Sequence, residues 1–168
     1  FFVNFMEKDY LPHHLPSHFP KSKKEEEEFH SKKEVGVCKE CGAFYYKKSW
    51  HKNLPKELEK KEKYYTLCPA CRMIKENVFE GEIRIYNVKK EKEKEILNAI
   101  KNAEKLAQKR DPEDRIVKIQ KKENEIIVWT TENQLAIKIA KKIKNSFKGE
   151  MKIHYSDKES TARVEIYL

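Results

Sequence analysis

The cysteines constrain this chain more than any other feature. There are four, set in two pairs, Cys38-Lys39-Glu40-Cys41 and Cys68-Pro69-Ala70-Cys71, with 26 residues between. A C-x-x-C step is too tight for a comfortable structural disulfide, and nothing in the sequence directs export to an oxidising compartment. A redox dithiol needs one such pair and leaves the second without a purpose. Two pairs together present four thiolates to the corners of a tetrahedron, which suits a structural Zn²⁺ held by Cys38, Cys41, Cys68 and Cys71. An iron–sulfur cluster is the competing occupant.

Around this quartet lies a strongly charged chain. Of its 168 residues, 37 are Lys or Arg and 28 are Asp or Glu, a formal net charge of +9. Charged side chains outweigh what a large core would leave room for, so one or two small domains are expected, with part of the chain outside any core. No stretch approaches the roughly 18 apolar residues that a spanning helix needs. The opening Phe1 to Phe5 is too short for a signal sequence and lacks a basic flank. Met6 offers a translation start. These features point to a cytoplasmic protein. The excess charge sits in two regions: residues 37–80 carry 10 basic and 6 acidic side chains, and residues 81–168 carry 21 and 15. Such a bias suits a polyanionic partner. Heavy use of Lys with Glu is also a thermophile-like habit, so the bias has a second explanation.

Three segments follow. Residues 1–36 read as a flexible tail, with a proline-rich run over Leu11 to Pro20 and opposed charge blocks, Lys21 to Lys24 and Glu25 to Glu28. Its His13, His14 and His18 cluster as solvated tail histidines commonly do. Residues 37–80 form the cysteine module, with Phe44, Tyr45, Tyr46, Trp50, Tyr64 and Tyr65 interleaved with Lys47, Lys48, Lys52 and Arg72. Rings packed around a metal make structural sense in so small a unit. The same rings and cations also suit stacking and phosphate contact.

Residues 81–168 give a clear element order. Strand alternation covers Glu82 to Val88, Arg115 to Gln120, Glu125 to Thr130, Glu150 to Tyr155 and Ala162 to Leu168. Helical spacing places Ile96, Leu97, Ile100, Ala103, Leu106 and Ala107 inward between about Lys90 and Lys109. A second helix buries Leu135 to Phe147, opened by a capping box at Thr131-x-x-Gln134 and closed by Gly149. The order β-α-β-β-α-β with one added strand describes an α+β, ferredoxin-like split βαβ domain, helices on one face and the other face open. With Ile83, Ile85, Val117, Ile119, Met151, Ile153, Val164 and Ile166 facing the helices, the open face carries Arg84, Tyr86, Lys118, Gln120, Lys152, His154, Arg163 and Tyr167. Cations mixed with rings on an exposed sheet suit RNA; an ordinary solvated face gives the same alternation.

No P-loop, GxGxxG, HExxH or GxSxG is present, and four sulfurs on one ion leave no position for an activated water. A non-catalytic protein is expected. An RNA-binding protein, a DNA-binding transcription-associated zinc ribbon and a protein–protein adaptor remain as readings.

Several motifs add a resemblance: Cys68-Pro69-Ala70-Cys71-Arg72-Met73-Ile74-Lys75, Asp111-Pro112-Glu113-Asp114-Arg115-Ile116, Trp129-Thr130-Thr131-Glu132-Asn133-Gln134-Leu135-Ala136 and Phe147-Lys148-Gly149. Residues 37–168 resemble small bacterial zinc-ribbon proteins of unassigned role. More distantly they resemble the amino-terminal zinc-binding part of the archaeal and eukaryotic large-ribosomal-subunit export adaptor linked to nonsense-mediated decay. This chain has one cysteine quartet where the adaptor has more pairs, and Trp-Thr-Thr where it has Trp-Thr-Glu. The resemblance implies ribosomal RNA or the ribosome as partner, the large subunit in particular.

Overall fold

Beyond residue 80 the apolar positions switch between a period of two and a period near 3.6, and the backbone follows them. The computed structural model describes residues 11–14, 35–155 and 161–168. It is α+β, with three α-helices and two mixed sheets among the described residues.

The larger sheet has five strands: Gly81–Tyr86 (β7), Ile116–Lys121 (β8), Glu125–Thr130 (β9), Glu150–Tyr155 (β10) and Ala162–Tyr167 (β11), in the order β10-β11-β7-β9-β8. Helices Lys90–Gln108 (α2) and Asn133–Phe147 (α3) cover one face. Ile83, Ile85, Ile126, Val128, Val164 and Ile166 from the sheet meet Ile96 and Ile100 of α2 and Leu135, Ile139 and Ile143 of α3 in one core. Each fully buried aliphatic side chain there contributes about 1.5–3 kcal/mol of transfer free energy. Gly81 is required by packing, because a Cβ there would lie 2.4 Å from Thr130 Oγ1 and 2.6 Å from Ala136 Cβ. In the split βαβ arrangement the strand after the second helix lies beside the first strand. Here β10 does not: β11 takes that place, parallel to β7, and β10 pairs with its outer edge.

The smaller sheet, in the order β4-β3-β2-β5, is built from Val35–Cys38 (β2), Phe44–Tyr46 (β3), Ser49–His51 (β4) and Lys63–Thr66 (β5). Strands β2 and β5 are parallel, bringing the ends that precede the two cysteine pairs side by side. A 3₁₀ turn at Lys56–Leu58 interrupts the β4–β5 connection, and the helix Pro69–Glu76 (α1) follows β5. The short strand Val78–Phe79 (β6) pairs in parallel with His13–His14 (β1). A piece of the expected tail, His13–His14, therefore belongs to a sheet, and the first strand of the smaller sheet begins at Val35. The rest of the expected tail, residues 1–10 and 15–34 with the charge blocks and His18, lies outside the described residues.

Local expectations also changed. The Thr131 hydroxyl does not cap α3: it donates to the carbonyl of Glu113 (2.6 Å) and accepts from the Arg115 N–H (2.9 Å), while Glu132 stands at the N-cap without a side-chain bond. Lys148, not Gly149, takes the left-handed position that ends α3, at φ 56°. Leu106 is 56% exposed rather than inward. A bulge between Ile116 and Lys118 turns Val117 away from the helices, onto Phe79, Ile127 and Trp129.

Candidate metal centre and cationic surfaces

The quartet assembles from two different local structures. At the first pair the chain leaves β2, and Gly42 turns it back at φ +74°, a left-handed value glycine takes without a Cβ clash. The Gly42 N–H donates to the Cys38 carbonyl (3.0 Å) and the Cys38 N–H to the Ala43 carbonyl (2.8 Å). The second pair opens a helix instead of a second hairpin. Cys68 is the N-cap of α1, Pro69 occupies the first turn, and the Cys71 N–H donates to Cys68 Sγ at 3.4 Å. Proline at that position loses no intrahelical bond. The Cys68 N–H donates to Cys38 Sγ at 3.3 Å, tying the two pairs together. The Cys71 N–H at the start of α1 favours the charged form of Cys68, a pull that burial and the neighbouring sulfurs outweigh.

The four Sγ atoms lie within 4.8 Å of one another, and no disulfide joins them. A tetrahedral ion with sulfur at ~2.3 Å needs sulfurs about 3.8 Å apart. Cys41 and Cys68, at 3.7 Å, meet that spacing. A multi-iron cluster puts its sulfurs on separate irons and needs them further apart, so the arrangement fits one metal ion. The acidity of the thiols agrees. Cys41 is pulled down to about 5, chiefly by the hydrogen bond from Cys68. Cys68 is pushed up by that same bond and by burial, and Cys71 is pushed up to about 12, chiefly by burial. Four crowded sulfurs cannot all ionise without a compensating charge, which a bound cation supplies. Cys38, Cys68 and Cys71 are buried among Ala43, Trp50 and Ala70, and Cys41 is exposed.

One neighbour of the centre had no signal in the spacing. Arg115, just before β8, puts Nη1 4.0 Å from Cys71 Sγ and Nε 3.9 Å from Glu104 Oε1. Glu104 also accepts from the Ile116 N–H at 2.7 Å. A cleft of about 90 Å³ opens here, lined by Cys41, Ala43, Lys52, Gln108, Pro112 and Arg115. Lys52 is thus beside the centre, and Arg72 is half-buried on α1 next to Cys71.

Lys47 and Lys48 form the two-residue tip of the β3–β4 hairpin, both exposed, at φ 49° and 65°. A type I′ turn needs φ > 0 at both central positions, which is why Asn-Gly dominates there. Each lysine costs about 1–2 kcal/mol in that conformation. Beneath them Tyr46 stacks on His51, ring centroids 4.0 Å apart at 22°, and Ser49 Oγ lies 2.8 Å from His51 Nε2.

The helix-free face of the large sheet is only partly open. Over β8 and β9 it is covered: Phe79 packs on Trp129 (centroids 6.4 Å), and Ile127 and Trp129 are buried. Lys118 is accordingly half-buried. Arg84 is committed to carboxylates, its Nε 2.9 Å from Glu82 Oε1 and its Nη1 3.5 Å from Glu125 Oε1. The β7–β11–β10 half keeps exposed cations beside half-buried rings. Tyr86 stacks on Tyr167 (centroids 5.1 Å, 23°), and Lys152 Nζ sits 5.3 Å over the Tyr167 ring. Arg163 is exposed and registers opposite His154, whose Nε2 is 3.4 Å from Glu165. No described helix is long and apolar enough to cross a membrane.

No family model matches the chain, and no curated protein matches it.

Proposed function

We propose that this is a zinc-stabilised, non-catalytic RNA-binding protein that acts on the ribosome, the large subunit in particular, in assembly, quality control or dormancy. The observation that supports the reading best is the ladder of Lys152, Tyr167 and Tyr86 on the uncovered half of the sheet. Stacked rings offer a surface to bases while Lys152 and Arg163 neutralise phosphate. Zn²⁺ is the ion of choice, because four sulfurs within 4.8 Å of one another suit a closed structural site. Cys38, Cys41, Cys68 and Cys71 would hold it, and its role is to fix the 37–80 module rather than to do chemistry. Residues 81–168 read as a ferredoxin-like unit whose last hairpin is inserted beside the first strand. Arg84 and Lys118 fit an RNA contact less well than the sequence suggests, the first because carboxylates hold it and the second because it is half-buried.

A sucrose gradient of cell lysate at low and high salt tests the reading. The protein should travel with ribosomal particles at roughly 50 mM salt and leave them at high salt, as phosphate contacts release counterions. Recovery only at the top of the low-salt gradient refutes it. A preference for duplex DNA, or binding indifferent to salt, would favour a transcription-associated or adaptor role instead.

A further inference from the structure

The β3–β4 hairpin tip uses two residues that its backbone disfavours. Both central positions have positive φ, yet both hold lysine. A turn selected for stability alone would carry Asn-Gly; unlike the single Lys148 that closes α3, this tip sets two consecutive strained residues of one charge side by side on exposed positions, which marks a place where the side chains have a task. The hairpin is braced from below: the Tyr46–His51 stack, the Ser49–His51 bond and a hydrogen bond from the Tyr46 hydroxyl to the Asn53 carbonyl (3.1 Å) fix the base of the turn. The turn backbone is therefore preorganised, with two consecutive lysines on exposed positions. Preorganised cations lose less freedom on binding than cations on a loose loop.

Resting on the RNA reading above, we propose that the Lys47-Lys48 turn is a phosphate clamp that engages two successive backbone phosphates of an RNA strand. It contacts backbone rather than bases, so it fixes register without reading sequence.

The test titrates a fluorescein-labelled RNA stem-loop, and a DNA duplex of matched length, with the full chain between roughly 50 and 200 mM salt. Three variants are compared with wild type. Lys47→Asn/Lys48→Gly relaxes the turn and removes both charges: its denaturation midpoint should rise while RNA affinity falls on the order of tenfold or more at low salt. The slope of log affinity against log salt should flatten by about 1.4–1.8, the value for two lost phosphate contacts. Lys47→Gln/Lys48→Gln keeps the strain and loses the charges: it should lose the same affinity with no gain in midpoint. Lys148→Gly relaxes a left-handed lysine at the end of α3: its midpoint should rise with RNA affinity unchanged. Wild-type affinity and slope in both tip variants overturn the clamp and leave RNA binding standing. A wild-type protein that ignores the stem-loop, or prefers the duplex DNA, overturns the RNA reading and the clamp with it.

Discussion

Glu82 offers the sharpest test of how the helix-free face is built. Its carboxylate accepts from the Trp129 indole N–H at 2.9 Å and from Arg84 Nε at 2.9 Å, and the residue is 9% exposed. Glu82→Ala leaves the indole N–H, on a residue 3% exposed, without an acceptor. An unsatisfied buried donor costs about 1–3 kcal/mol. The Arg84 pair adds less, at most about 0.5–1 kcal/mol, because the Arg84 side chain is 38% exposed and water screens it. The whole loss should come to about 1.5–4 kcal/mol. At an m-value of ~1 kcal/mol per molar, that lowers the urea midpoint by about 1.5–4 M in metal-replete buffer. Glu82→Gln keeps an acceptor for the indole and should cost only about 1 kcal/mol. In a Trp129→Phe background, where no indole donor remains, Glu82→Ala should cost under about 1 kcal/mol, which isolates the indole contact. Equal losses for the Ala and Gln variants, or an Ala loss below about 0.5 kcal/mol, would refute the claim that Glu82 holds Trp129 and commits Arg84 to structure.

Elemental analysis should find one transition-metal ion per chain; chelation should melt residues 35–80 by NMR before the β7–β11 core, and simultaneous loss would show one cooperative unit. Cys68→Ser removes a thiolate from the quartet but keeps an N-cap acceptor for the Cys71 N–H, so it should abolish metal retention and leave the α2–α3 core signals in place. Gly81→Ala inserts a Cβ against Thr130 and Ala136 and should cost about 1–3 kcal/mol in urea denaturation, an unchanged midpoint arguing against the close approach. Asp114 is 7% exposed, and burial holds its carboxyl above the ordinary range against the opposing pull of Lys138. A raised folded pKa gives stability that is full below the ordinary carboxyl range and lost as pH rises through the folded value. Asp114→Asn should flatten that decline; a wild type that gains on the variant as pH rises would contradict it.

The cysteine cluster was legible because ligand chemistry imposes a spacing that survives any loop length, here the 26 residues between Cys41 and Cys68. Helices α2 and α3 and strand β9 were legible because their apolar periods run long enough to be unambiguous. What escaped the sequence depended on partners far along the chain. The Thr131 hydroxyl has the pattern of a cap, but the Glu113 carbonyl and Arg115 N–H lie closer to hand. Val117 obeyed alternation until one extra residue on β8 reversed it. Arg84 looked free for phosphate because nothing local shows Glu125 arriving across the β7–β9 pairing. Helix α1 is eight residues long and begins on a ligand, too short for its period to separate from a loop. Lys47, Lys48 and Lys148 hold left-handed positions that residue preference assigns to glycine or asparagine, so the turns were visible only in the backbone.

The insertion of β11 between β10 and β7 has a consequence for biosynthesis. A nascent chain makes β10 first, yet β10 reaches the sheet only through β11, which must dock on β7, whose own residues emerged some eighty positions earlier. Until it does, the β7 edge stands bare, a template for stray strands for as long as the final hairpin is still inside the exit tunnel.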